Sequence, residues 1–241
     1  TGAIDQYYVG KDIGEIWAYE TVGIFQTEAD VAASANQDQL GAAWKAGDMQ
    51  YADLNKDDKI TPGVRTLDDH GDLRIVGNTT PRYSFGINGD ISYKGIGLNV
   101  FFQGVMKRDY LPDNGNWNAF YPYNDGHLEK YAISESWTET NRDAYFAAPT
   151  FGYNTKKNIH PQSRYVQNAS YIRLKNLSVS YQFPVKLIQK VRLNGAQIYF
   201  AGMNLWEATK MHKPLDPESV FTVTQEYYLQ RIFTLGVKLN F

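Results

Sequence analysis

The residues best placed to do chemistry are oxygen donors. In the stretch DLNKDDKI, Asp53, Asn55 and Asp57 take alternate positions and Lys59 follows. Alternate Asp and Asn side chains aim three oxygens into a tight loop, and the Lys59 carbonyl at the seventh position adds a fourth. That is the opening of a Ca²⁺ or Mg²⁺ loop of the EF-hand type. The pattern is partial. Its sixth position, where the sharp turn favours Gly, holds Asp58, and its twelfth, where an acidic ligand completes the shell, holds Val64. Asp68, Asp69 or Asp72 could fold back to supply that carboxylate. The competing reading is a solvated acidic turn. A filled loop would stiffen an external segment and take no part in catalysis.

A second set is aromatic. Trp117, Phe120, Tyr121, Tyr123 and Trp137 stand among Asn114, Asn116, Asn118, Asn124 and Asp125. Flat rings stack on the apolar faces of sugars while amides and carboxylates bind hydroxyls, so Trp117, Tyr121, Tyr123 and Trp137 are candidate contacts to substrate or partner. The same composition suits a loop that packs its own rings. Catalysis finds no support: there is no G-x-S-x-G, P-loop or H-E-x-x-H, and no two acids have the context of a glycosidase pair. His70, His127, His160 and His212 follow no zinc-ligand spacing, and the chain has no cysteine. A net charge of -2 without a basic stripe argues against a nucleic-acid partner.

These residues must be positioned by strands. In RYSFGINGDISYK, Tyr83, Phe85, Ile87, Ile91 and Tyr93 share one face, with Ser84, Asn88, Asp90 and Ser92 on the other. After a turn at Gly95, Ile96, Leu98, Val100 and Phe102 repeat the pattern, which predicts a hairpin. SYIRLKNLSVSYQF predicts a strand whose phase changes near Asn176, the mark of a bulge. PVKLIQKV reads as a short helical turn, and AQIYFAGMNLWEA and RIFTLGVKLNF as two further strands. Trp206, near the end of its strand, reads as an interfacial girdle residue. Between the strand groups lies a connection from about 107 to 164, rich in Asn, Asp, Gly, Pro and aromatics.

No run approaches the ~18–20 consecutive apolar residues of a membrane helix. Several strands, however, are about twice the ~5–6 residues common in soluble sheets. Eleven extended residues tilted by ~40° span ~26 Å, the height of a barrel's apolar band, and Tyr83 and Tyr93 fit aromatic girdles at its rims. Short turns alternating with one long connection fit a transmembrane barrel. A soluble sandwich, as in a secreted carbohydrate-binding or adhesion module, is the alternative.

Six blocks in order carry a resemblance: VGKDIGEIWAYETVGIFQTEADV, GDMQYADLNKDDKITPG, GDLRIVGNTTPRYSFGINGDISYKGIGLNVFFQGV, NASYIRLKNLSVSYQFP, AQIYFAGMNLWEATK and the closing FTLGVKLNF. They resemble the C-terminal part of the SusC/RagA family of TonB-dependent outer-membrane transporters of Bacteroidota. The resemblance implies an all-β chain, residues 1–241 forming the C-terminal part of a 22-stranded antiparallel transmembrane barrel with long extracellular loops. At ~10 residues per strand plus loops, the length suggests about eight strands. It implies the outer membrane of a Gram-negative bacterium. Its partners would be a SusD-like surface lipoprotein, TonB acting through an N-terminal region absent here along with the plug, the barrel-assembly machinery and outer-membrane lipid. The implied activity is uptake of oligosaccharides or oligopeptides and not catalysis. Thr1 reads as a start inside a longer protein. The final strand, with Phe233, Leu235, Val237, Leu239 and Phe241 facing lipid and Thr234, Lys238 and Asn240 the lumen, would be the closure and assembly signal.

Overall fold

The computed structural model describes residues 2–112, 120–121, 130–150, 157–212, 215–221 and 229–241. Four short strands come first: β1 (Glu15–Tyr19), β2 (Thr21–Ile24), β3 (Met49–Tyr51) and β4 (Leu73–Asn78), with β1 on β4 and β2 on β3. Two long strands follow, β5 (Tyr83–Tyr93) and β6 (Ile96–Met106). β7 (Asp109–Tyr110) and β8 (Gln167–Asn168) make a two-residue ladder. β9 (Tyr171–Gln182), β10 (Gly195–Thr209) and β11 (Ile232–Asn240) complete the set. The five long strands form one antiparallel sheet, the wall, in the order β11-β10-β9-β6-β5.

Alternation in the sequence becomes two faces of this wall. One face pairs Ile87 with Phe102, Ile91 with Leu98, and Ile198 with Val237; the other pairs Asp90 with Asn99 and Gln197 with Lys238. The apolar face is open: Ile87 is 57%, Ile91 65%, Leu235 74% and Val237 62% exposed. In water such a surface invites aggregation, whereas in a bilayer it is the outer face of a barrel. A sandwich would cover it with a second sheet, but among the described residues the other sheets have only two strands each. Nor is any described helix long and apolar enough to cross a membrane.

Tyrosine–lysine pairs mark both ends of the β5–β6 hairpin. Lys107 Nζ lies 5.9 Å from the Tyr83 ring centroid and Lys94 Nζ 5.1 Å from that of Tyr93. Such pairs suit the two interfaces, an aromatic body in the boundary and a charge in water. The hairpin turns on Lys94 and Gly95, both at positive φ (47° and 86°), the two-residue turn whose twist matches the flanking strands. A Cβ on Gly95 would also stand 2.7 Å from the Gln182 carbonyl oxygen, so the next strand's approach demands glycine as well.

The phase change near Asn176 is a bulge. Asn176 pairs with Phe101 but Leu174 with Phe102, which leaves Lys175 extra. β10 slips at the same level, between Met203 and Trp206, where Asn204 takes a φ of 53°. The bulge keeps Ile172 and Leu174 on the apolar side and turns Arg173 to the polar one.

The wall has five strands among the described residues, not eight. The rest of the chain builds a lobe instead. Its core includes Tyr19, Met49, Tyr51, Ile60, Phe120, Phe146 and Tyr165, and no wall residue belongs to it. The 107–164 connection supplies much of this core, so where it is described it is packed structure and not a solvated loop. The lobe sits where β6 ends, β9 begins and β10 ends, since Val105, Tyr171 and Thr209 are in register. Among the described residues, the opposite end carries the Lys94–Gly95 turn, the 183–194 connection and the end of β11. Long connections at one end and short ones at the other match the outside and the periplasmic side of a barrel.

Candidate functional site

The polar face of the wall is a band of amides and hydroxyls around one carboxylate. Asn99 Nδ2 donates to Asp90 Oδ1 (2.7 Å) and Asn88 Nδ2 to Asp90 Oδ2 (3.0 Å). Ser178 and Ser180, opposite Asn99 and Gly97, carry the band onto β9, and Tyr199 and Gln197 carry it onto β10. Such a surface wets readily and can exchange hydrogen bonds with a passing polar solute. Thr234 and Lys238 continue it on β11, while Phe233, Leu235, Val237 and Leu239 point the other way and Phe241 is 87% exposed.

A charge cluster joins this face to the lobe. Arg173 lies on the polar face with its side chain only 3% exposed. Its guanidinium pairs with Glu207, its cross-strand neighbour, with Asp216 (2.7 Å) and with Glu218 (2.6 Å). Glu218 also pairs with Lys175 at the bulge (2.9 Å) and accepts a hydrogen bond from the Tyr171 hydroxyl (2.8 Å). A guanidinium can serve three carboxylates because its five donors form a rigid fork. The cluster pins residues 216–218 against the inside of the wall. Sequence reasoning missed it. The available signal was an Arg inside a strand of a membrane barrel, which needs a partner.

Next to it, His212 Nε2 lies 2.6 Å from Glu135 Oε2, with its ring stacked on Tyr145 and its edge-on neighbours Phe120, Tyr131 and Phe146. Tyr121 and Trp137 belong to this packed region: they are 4% and 9% exposed. The Trp137 indole N–H donates to Gln26 Oε1 (3.3 Å), and burial pushes the Tyr121 phenol well above its ordinary range. Their rings are core material here, with no free face for a sugar. Trp117 and Tyr123 lie outside the described residues. Trp206 is on the apolar face near the end of β10, half exposed at 49%.

The Asp-rich loop closes on itself. Asp53 accepts from the amides of Lys56 (2.6 Å) and Asp58 (2.8 Å), Asn55 from Asp57 (3.2 Å), and Asp57 from Lys59 (2.9 Å). Asp58 does take the left-handed conformation of the glycine position, at φ 62°. Of the three acids that could fold back, Asp72 does so, but onto the chain: it accepts from the amides of Leu54 (2.8 Å) and Thr61 (2.7 Å). Among the described residues no three His, Cys, Asp or Glu side chains converge as a metal site. In this structure the Asp53, Asn55 and Asp57 oxygens accept hydrogen bonds from the loop's own backbone amides.

Below the loop, polar side chains wrap β3 like extra strands. Gln37 donates to the Met49 carbonyl and accepts from the Tyr51 amide, while Asn158 accepts from the Met49 amide. Lys157 Nζ and Asp48 Oδ2 form a buried pair at 2.5 Å. A polar cleft of about 810 Å³ opens beside the outer end of the β5–β6 hairpin, lined among others by Glu15, Asn78, Arg82, Lys107 and Asp109.

No protein-family model matches the chain. Two curated relatives do: TonB-dependent receptor P3 of Formosa agariphila is 27% identical over 96% of this chain, and TonB-dependent receptor P26 of the same organism 25% over 97%. These alignments take in 22% and 23% of the two receptors. Among solved structures, the RagAB peptide importer in its open-open state superposes with a TM-score of 0.61 at 21% identity, covering 98% of this chain and 24% of its own. The RagAB peptide transporter gives 0.62 at 21% identity, covering 94% of this chain and 22% of its own. The chain thus spans less than a quarter of the proteins it matches. Wall, face alternation and loop asymmetry agree with them: this is a segment of an outer-membrane β-barrel.

Proposed function

We propose that this chain, a wall segment similar to SusC/RagA-type TonB-dependent transporters, forms the C-terminal part of an importer of polar oligomers. The observation that carries the reading is the two-faced wall, apolar without and amide-lined within, in a chain similar over 96% of its length to a TonB-dependent receptor. The segment's own chemistry is binding and gating. The lumenal amides and hydroxyls exchange hydrogen bonds with the solute, and the lobe at the outer end meets cargo and a SusD-like surface lipoprotein. Energy arrives from TonB through the plug of the whole protein. β11 pairs with a further barrel strand to close the wall, and its alternating Phe233, Leu235, Val237, Leu239 and Phe241 carry the assembly signal.

Oligosaccharide is one cargo class, since an amide- and hydroxyl-lined passage accommodates a polyhydroxylated solute. Oligopeptide is the second, favoured by the likeness to RagAB, which is a peptide importer. Deleting the gene and measuring uptake of labelled oligosaccharides and oligopeptides by the host tests both. Loss of one class with the other intact assigns the cargo, and unchanged uptake of both contradicts the reading.

A further inference from the structure

We propose that the connection between β9 and β10 is a membrane-interface anchor that binds anionic phospholipid headgroups of the periplasmic leaflet. Residues 183–194 read FPVKLIQKVRLN. Val185–Ile188 forms one helical turn and Gln189–Val191 continues it as a 3₁₀ turn. Arg192, at φ 60°, ends the run. Leu187 and Val191 alternate with Lys186 and Lys190 along this run, so apolar and cationic side chains share one short segment. Ile188 is buried and seats the turn, whereas Val185, Leu187 and Val191 are 55%, 57% and 66% exposed. Three apolar side chains are a costly surface to leave in water at the tip of a short connection.

Two observations identify the covering as lipid. The first is continuity. The turn lies at the short-connection end of the wall, where Ile96 pairs with Tyr181 and the Gln182 amide donates to the Gly95 carbonyl (2.7 Å). Tyr93 and Ile96, 65% and 50% exposed, extend the apolar face of the wall to the same rim, and the Tyr181 and Phe183 rings meet edge to face at 5.1 Å. The second is charge. Residues 183–194 contain Lys186, Lys190 and Arg192 and no acid, and Lys94 adds a fourth cation from the neighbouring turn. Among the described residues none of the four has an ion-pair partner. Apolar insertion and electrostatic attraction are each weak alone, and together they hold a segment in the interface of an anionic leaflet.

The inference rests on the wall spanning a bilayer and is independent of cargo. Its test uses the full-length protein reconstituted in phosphatidylcholine bilayers with and without phosphatidylglycerol. Amine labelling of Lys186 and Lys190 should slow when phosphatidylglycerol is present and recover in neutral detergent. Native mass spectrometry should show several-fold less retained phosphatidylglycerol on the Lys186→Gln/Lys190→Gln/Arg192→Gln variant. Equal retention by the variant overturns the proposal. So does labelling that is equally slow in neutral detergent, because protein then covers the turn. A wild-type chain without a heat-modifiable band would instead remove the barrel reading itself, and the anchor with it.

Discussion

Lys157 and Asp48 face each other at 2.5 Å with side chains 2% and 0% exposed, and each has a further partner: Lys157 donates to the Ala43 carbonyl and Asp48 accepts from Asn158. Removing one charge from such a pair strands the other. Lys157→Met should therefore destabilise the lobe by ~3–5 kcal/mol, read from thermal unfolding followed by Trp44 fluorescence, whose ring lies 5.4 Å from Lys157 Nζ. Arg65→Gln at the half-exposed pair with Asp5 should cost no more than ~1 kcal/mol. Similar losses in the two variants would contradict this account of the lobe. His160 sets a pH dependence. Burial holds its pKa below the ordinary 6.5, and its Nε2 donates to the Leu40 carbonyl at 2.6 Å. The unfolded chain takes up a proton there before the folded one does, so stability is full above pH 6.5 and falls as pH drops below it. His160→Gln should flatten that slope below pH 6.5; an unchanged slope assigns it elsewhere. At this scale the sequence was a partial guide. The turn-forming pattern from Asp53 to Lys59 was legible because spacing is local. The packing of Tyr121 and Trp137 was not, because an Asn-rich aromatic stretch reads alike whether its rings meet a sugar or Phe146 and Tyr165.

The wall strands were legible as elements. Period-two alternation over eleven residues specifies both the strand and the face it buries, and the lost phase at Asn176 located the bulge. The number of wall strands was not legible. β1 to β4 carry similar apolar residues, but they pair in twos and pack into the lobe, a choice made by tertiary contacts that length cannot count. The Arg173 cluster acts at this scale by tying residues 216–218 to β9 and β10. Arg173→Gln should release that segment, seen as amide exchange of residues 215–220 faster by tenfold or more, on the order of the ~1.4 kcal/mol or more that charged hydrogen bonds contribute. Arg173→Lys should restore only part of the protection, since an ammonium lacks the fork that reaches three carboxylates. Unchanged exchange in Arg173→Gln would mean that the loop is held by its aromatic contacts instead. Gly95→Val should impair hairpin formation, because the substitution places a β-branched residue at φ 86° and a Cβ 2.7 Å from the Gln182 oxygen; normal yields of folded barrel would contradict that strain.

At the scale of the whole molecule, two edges of the wall, β5 and β11, have no neighbour among the described residues. Backbone groups at such edges cannot stay unpaired in lipid, so the wall is completed by strands from the rest of the protein. The ordered series of blocks pointed to this arrangement, and structural likeness over 98% of the chain agrees with it. Cargo was not legible, because the amides, hydroxyls and carboxylate of Asn88, Asp90, Asn99, Ser178 and Ser180 offer donors and acceptors that do not select one class of polar solute. Phe241→Ala, which removes an exposed aromatic at the end of β11, should lower the amount of assembled barrel several-fold without changing synthesis. The most direct measurement is to fractionate host membranes after expression of the full gene and compare the protein's electrophoretic mobility with and without heating. The account predicts that it is found in the outer membrane, is extracted only by detergent and shifts in mobility on boiling, as a closed barrel does. A product that stays soluble and monomeric without detergent, with one mobility whether heated or not, would contradict it.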